Sequence, residues 1–160
     1  MTDADERDRR QLRTVADYQF GGGAGSALFP ADENLRIERT SSGRPSQVHA
    51  DAGRLVTYAV DGRFTLGLEG GRRLLDALER PAYRVVVGDE SEPFVRDGKN
   101  TFAKFVRSVD PAVRPGDEVM VVDGSDALLA VGRAELSADA MEDFQTGMAV
   151  KVRAGLLDPE

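Results

Sequence analysis

Few side chains in this sequence could carry covalent or acid–base chemistry. His49 is the single histidine and cysteine is absent. A nucleophilic triad would therefore have one imidazole to draw on and no thiolate. His49 also falls in a run where apolar and polar residues alternate, which makes a structural or surface imidazole the expected role. A zinc centre needs about three or four clustered His, Cys or carboxylate ligands, and no such cluster occurs in the sequence. Carboxylates are plentiful but scattered, as on a solvated acidic surface. Gly98-Lys99-Asn100-Thr101 ends like a phosphate-binding loop, yet that motif requires a glycine five residues before Gly98, and position 93 is proline. Gly21 to Gly25 has neither a preceding strand nor a G-x-G-x-x-G pattern, so a flexible turn is expected there rather than a dinucleotide cradle. No catalytic residue, no metal site and no cofactor are expected.

What remains is charge. The chain has 160 residues, with 21 basic against 28 acidic side chains for a net charge of −7, which by itself argues against a polyanionic partner. Lysine is scarce: Lys99, Lys104 and Lys151 are the three, and the other 18 basic residues are arginine. Abundant Asp and Glu with little Lys is the surface expected of a protein from a high-salt, halophilic cytoplasm, where acidic side chains hold water. In concentrated salt, fields are screened within a few ångströms, so local charge informs more than the total. From Arg96 to Arg114 five basic residues face two acidic ones, a net +3, whereas from Asp117 to Asp143 eight acidic residues face Arg133 alone. One face of the second half is expected to be basic and its back acidic.

The elements that must position these residues can be read from periodicity. Residues 1–9 are charged and aperiodic, and are expected to be frayed. Leu12, Val15, Ala16 and Gln19 or Phe20 follow helical spacing over about 9–19, and the run Gly21–Gly25 stops that helix. Leu35 to Thr40, the region of Val48, and Leu55 to Val60 alternate as half-buried strands; Asp61-Gly62 turns a hairpin into Phe64–Leu66. Leu68 to Leu78 reads as a helix that ends before Pro81. Four β-branched runs follow (85–87, 119–122, 128–131 and 149–152), separated by Gly, Pro and Asp. Two stretches break the strand rhythm. Thr101 to Phe105 spaces Phe102 and Phe105 as on one helical turn. Ser137 to Phe144 has Ser137 at an N-cap and Gly147 near a C′ position. The fold expected is α+β: a small α+β domain over 10–80, then a mixed β pseudobarrel with short helices over 82–155. No apolar run reaches the roughly 18–20 residues of a membrane span, and the charged start lacks the apolar segment of a signal peptide. A cytoplasmic protein is expected.

Four stretches in the second half, GKNTFAKFV at 98–106, VRPGDEVMVVD at 113–123, LLAVGRAELS at 128–137 and GMAVKVRAG at 147–155, resemble a PUA domain. More narrowly, they resemble the PUA domain at the carboxyl end of archaeal archaeosine tRNA-guanine transglycosylases. The first half resembles the domain preceding PUA in those enzymes, through RTVADYQFGGGAGSALF at 13–29, the Ser-Gly-Arg loop at 41–44 and VDGRFTLGLEGGRRL at 60–74. Relatives usually carry Thr-Gly-Arg followed by Ile-Arg in that loop, where this chain has Ser42-Gly43-Arg44-Pro45-Ser46. The catalytic barrel of the transglycosylases, with its aspartate nucleophile and zinc ligands, has no counterpart in these residues.

The resemblance implies an RNA-binding module that recognises tRNA or rRNA, or an accessory subunit that delivers tRNA to a separate RNA-modification enzyme. In PUA relatives a glycine-led loop with a short helix forms one wall of the RNA groove, and strands from later segments form the other. By position, Gly98, Lys99, Asn100, Phe102, Lys104 and Arg107 belong to the first wall, and Arg133, Lys151 and Arg153 to the second. Alternation sets Lys151 and Arg153 on one face of a strand with Val150 and Val152 turned inward. Arg44, Arg63, Arg72 and Arg73 could extend a phosphate track into the first half. A third possibility is an interaction protein whose RNA groove is vestigial.

Overall fold

Asp5 and Asp8 start the first helix of the computed structural model, which describes residues 1–159 and parts into two units after Leu78. The Asp5 carboxylate accepts from the Asp8 amide at 2.8 Å and Asp8 returns the bond to the Asp5 amide at 3.0 Å, a reciprocal cap for helix α1 (Glu6–Phe20). Ahead of it, strand β1 (Thr2–Asp3) pairs with β2 (Arg36–Arg39). The sequence leads one to expect residues 1–9 to be frayed; instead they hold a strand, whose partners lie more than thirty positions away, and a helix cap made between Asp5 and Asp8. Leu12, Ala16 and Phe20 form the buried stripe of α1. Arg9 shares that stripe and donates to the carbonyls of Pro30 and Glu33, so its buried charge is hydrogen-bonded. α1 ends at Gly21, but the glycine run is more than a turn, since Gly25 is already inside a second short helix, α2 (Ala24–Leu28).

The five strands of this unit run β1-β2-β3-β4-β5, with β3 (Pro45–Ala50), β4 (Gly53–Tyr58) and β5 (Phe64–Leu66), all neighbours antiparallel. Helix α3 (Leu68–Ala77) lies on β4 so closely that a Cβ on Gly70 would sit 2.0 Å from the Leu55 carbonyl oxygen. Ile37, Val48, Leu55, Val56, Phe64 and Leu66 from the sheet meet Leu12, Leu28, Phe29 and Leu74 from the helices and their flanks, all nearly inaccessible to solvent. Phe29 and Phe64 meet edge to face at 5.8 Å, a favoured aromatic geometry. Arg73 on α3 holds Glu33 through two 2.7 Å bonds and reaches Glu69 as well. The Arg73 hydrogen bonds keep the Glu33 carboxyl below its ordinary range.

The second unit is a six-stranded sheet that nearly closes on itself, in the order β7-β11-β10-β9-β6-β8. Its elements are β6 (Arg84–Val87), α4 (Glu92–Arg96), β7 (Thr101–Phe102), a 3-10 turn (Ala103–Phe105), β8 (Val106–Val109), β9 (Glu118–Val122), β10 (Leu128–Ala134), α5 (Ala138–Asp143) and β11 (Met148–Gly155). β6 and β9 are parallel; the other pairs are antiparallel. Every residue of β9 is buried, as befits an interior strand covered on both faces. Val85, Val87, Val95, Val113, Val119, Val121, Leu129, Met141 and Val150 form the core. Arg84, 3% exposed, makes two bonds to Asp126, at 2.8 and 3.1 Å.

Three local expectations change. Thr101–Phe105 is a two-residue strand and a 3-10 turn rather than one helical turn, because Thr101 and Phe102 pair with Val150 and Met148 of β11. Phe102 therefore points outward and Phe105 is half-buried. α4 has no periodic signal because it is five residues long. Ser137 does cap α5, accepting from the Ala140 amide at 3.2 Å, but the helix ends at Phe144 in extended backbone, and the Gly147 carbonyl instead receives the Ala103 amide.

Candidate nucleic-acid interface

The loop from Asp97 to Asn100 is shaped by its backbone before any ligand is considered. Gly98 has φ +88°, a conformation that side chains with a Cβ rarely adopt. The amides of Gly98 and Lys99 bond to the carbonyls of Val95 and Phe94, closing the end of α4. The Asn100 side-chain oxygen accepts from the Val152 amide at 3.0 Å, which ties the loop to β11. Lys99 is left exposed on a fixed backbone.

Strand register brings further cations to this place. Thr101 opposes Val150 and Asn100 reaches Val152, so Lys99 and Lys151 lie at the same end of the β7–β11 ladder. Arg133 stands opposite Lys151 across the β10–β11 pair, close enough for the two side chains to act on one ligand. Lys104 lies at the other end of β7, with its ammonium 5.1 Å from the Phe105 ring centroid. Among the described residues none of the three lysines is ion-paired.

The arginines are placed differently. Arg107 on β8 turns to the 88–90 turn and pairs with Glu90. Arg133 donates to Glu135 at 3.1 Å. Arg153 stands alternate to Lys151 on β11, but its guanidinium holds the buried Glu118, with Nη1 at 2.7 Å from Oε1. In the first unit Arg72 pairs with Glu69, and Arg73 with Glu33 and Glu69. Carboxylates thus engage each of these five arginines, whereas the three lysines stand outside ion pairs among the described residues.

Sequence reasoning missed Phe94. It is 62% exposed on α4 and its carbonyl receives the Lys99 amide, so an aromatic face stands beside the glycine-led loop. Phe102, 45% exposed, offers a second ring at the opposite end of β7. The signal for Phe94 was present as Ser91-Glu92-Pro93, a helix start with proline in the first turn. Lysines can contact phosphates, and exposed rings can stack on bases that a folded RNA leaves unpaired. Among the described residues no group of three His, Cys, Asp or Glu could hold a metal ion, and no helix is long and apolar enough to cross a membrane.

The architecture of the second unit, a mixed six-stranded pseudobarrel with short helices set between its strands, defines a class before sequence comparison is made. Two solved structures share the fold over 96% of this chain and 92% of their own. They are a hypothetical protein of the hyperthermophilic archaeon Pyrococcus horikoshii OT3 (TM-score 0.73, 20% identity) and a conserved PUA domain protein of Thermoplasma acidophilum (TM-score 0.69, 19% identity). Residues 83–156 match the PUA domain family, and residues 10–81 match the patch-forming domain C2 of tRNA-guanine transglycosylase. The chain belongs to the PUA-domain proteins and carries a transglycosylase-type C2 domain ahead of its PUA domain. It is 49% identical over 148 residues to the tRNA-guanine(15) transglycosylase of Pyrococcus abyssi, and 47% identical over 156 residues to that of Methanothermobacter thermautotrophicus. These alignments take in 92% and 96% of this chain but 25% and 23% of those proteins, so the chain spans about a quarter of the length of the curated relatives it matches.

Proposed function

We propose that the chain binds structured RNA, tRNA before rRNA, through its PUA domain and performs no covalent chemistry on it. One observation carries this reading: in a chain of net charge −7 the three lysines stand exposed and outside ion pairs around one ladder, Lys99 in the loop before β7, Lys104 in the 3-10 turn after it and Lys151 on β11. An acidic surface built for solubility has no need to gather its lysines. Phe94 and Phe102 supply stacking surface on the same domain. Recognition rests on backbone and shape, because RNA helices hide base edges in a narrow major groove and present 2′-hydroxyls instead. The test is binding of purified protein to tRNA while salt is lowered from molar concentration. The reading expects a dissociation constant that tightens with falling salt and a slope of several phosphates. Absence of binding at every salt where the protein stays folded overturns it.

A second reading rests on the alignment. Its identity of 43–49% to seven transglycosylases, each matched over about a quarter of its length, fits an accessory subunit that delivers tRNA to a separate transglycosylase-type enzyme. Such a subunit would lower that enzyme's KM for tRNA when added in trans, whereas a stand-alone binder would compete and raise it.

A further inference from the structure

Two adjoining depressions lie in the first unit. Their volumes are about 540 and 520 Å³, and they share Thr14 and Val15. They form one trough along the outer face of α1, walled on its other side by Pro45, Tyr58 and the 61–63 turn. From Arg10 to Gln19 the helix rises about 14 Å at ~1.5 Å per residue, the length of about four residues of extended chain at ~3.3 Å each. The wall is held in place: the Gln19 side-chain amide donates to the Phe64 carbonyl at 2.9 Å and accepts from its amide at 2.7 Å.

The lining has two characters. Val15, Pro45 and the Tyr58 ring make it apolar, and Tyr18 stands beside them 94% exposed. Arg10, Arg44 and Arg63 supply cations. The two lining carboxylates already serve local hydrogen bonds. Asp8 accepts from Arg39 and from the Asp5 amide, and Asp61 accepts from the Arg63 amide. Arg44 is held rigidly, its guanidinium 4.7 Å over the Tyr58 ring and its Nη2 bonded to the Ala59 carbonyl at 2.5 Å. A preorganised guanidinium loses little side-chain freedom when it meets a carboxylate. Arg44 covers one face of Tyr58, and an apolar floor suits side chains better than sugars and phosphates. Tyrosine and arginine around an apolar centre is the composition of protein-binding hot spots.

We propose that this trough docks an extended segment of another protein, one that alternates apolar and acidic residues. Its apolar side chains enter over Val15 and beside Tyr18, and its carboxylates meet Arg10 and Arg44.

The probe is the peptide Ac-Glu-Leu-Asp-Leu-Glu-NH2, titrated into the 15N-labelled chain while backbone amide shifts are followed. Shifts are expected at Thr14, Val15, Tyr18 and Gly62, with Lys99, Lys104 and Lys151 unmoved. Ac-Lys-Leu-Lys-Leu-Lys-NH2 is expected to bind at least tenfold more weakly, as is the acidic peptide to Arg10→Glu, an exposed helical position whose replacement leaves the core intact. Equal binding of the two peptides, shifts scattered over the chain, or no shifts in the trough each overturn the proposal. So does a stronger response of the same amides to hexauridylate, which would assign the trough to RNA. Loss of tRNA binding at the lysine ladder leaves these results unaffected, so the two readings fail separately.

Discussion

Replacing Lys99, Lys104 and Lys151 together with alanine removes three open charges from the PUA domain without disturbing a buried contact. All three side chains are exposed, and the one interaction forfeited is the approach of Lys104 to Phe105, about 0.5–1 kcal/mol at an exposed site. A cation that meets a phosphate releases counterions and contributes about 0.7–0.9 to the slope of log K against log salt. Three such contacts therefore contribute about 2–3, and over a tenfold fall in salt the wild-type and triple-variant binding curves separate by about 10²–10³ in affinity. Anisotropy of fluorescently labelled tRNA, measured stepwise in salt on both proteins after thermal unfolding shows equal stability, reads this directly. As a control, Arg107→Gln combined with Glu90→Gln removes an internally neutral pair and is expected to leave the slope unchanged. A triple variant whose slope equals that of the wild type would show that the lysines meet no phosphate.

Two further outcomes test the C2 domain. Gly70→Ala drives a methyl to 2.0 Å from the Leu55 carbonyl, and β4 cannot retreat because it lies between β3 and β5. The expected overpacking of about 3 kcal/mol exceeds the ~1 kcal/mol gained in helix propensity, for a net loss of about 2 kcal/mol in urea unfolding, and a stabilised variant would contradict the packing described. Because Arg73 depresses the folded-state pKa of Glu33 below 4.5, this carboxylate contributes stability above that pH and loses it as pH falls through its lowered value. Glu33→Gln should thus lower the urea midpoint at pH 7 and converge with wild type near pH 2, whereas an offset constant with pH would show that the ion pair is not its source.

Strands and helices were legible in the sequence where burial writes a long pattern. β9 is covered on both faces, so Val119 to Val122 appears as an unbroken apolar run, and Asp61-Gly62 announced the turn into Phe64–Leu66. Short elements gave no such pattern. α4 has five residues and β7 two, and β1 exists because β2 offers it an edge. The interface was half legible for a similar reason. Local charge counts located the basic window around Lys99, but a sequence does not show that Arg153 will be held by Glu118, 35 positions away, or Arg107 by Glu90. Ser91-Glu92-Pro93 marks the start of α4, but the exposure of Phe94 on it is a property of the fold.

The scarcity of lysine has a practical corollary. Apart from the α-amine, the primary amines of the chain are those three ε-ammonium groups, all on the PUA domain. Any acyl transfer to lysine, enzymatic or by reagent, therefore writes on the PUA domain and leaves residues 10–81 unmarked. Acetylation of a single residue would erase a third of the open lysine charge, and a mass spectrum of the intact chain would count the erasures one by one.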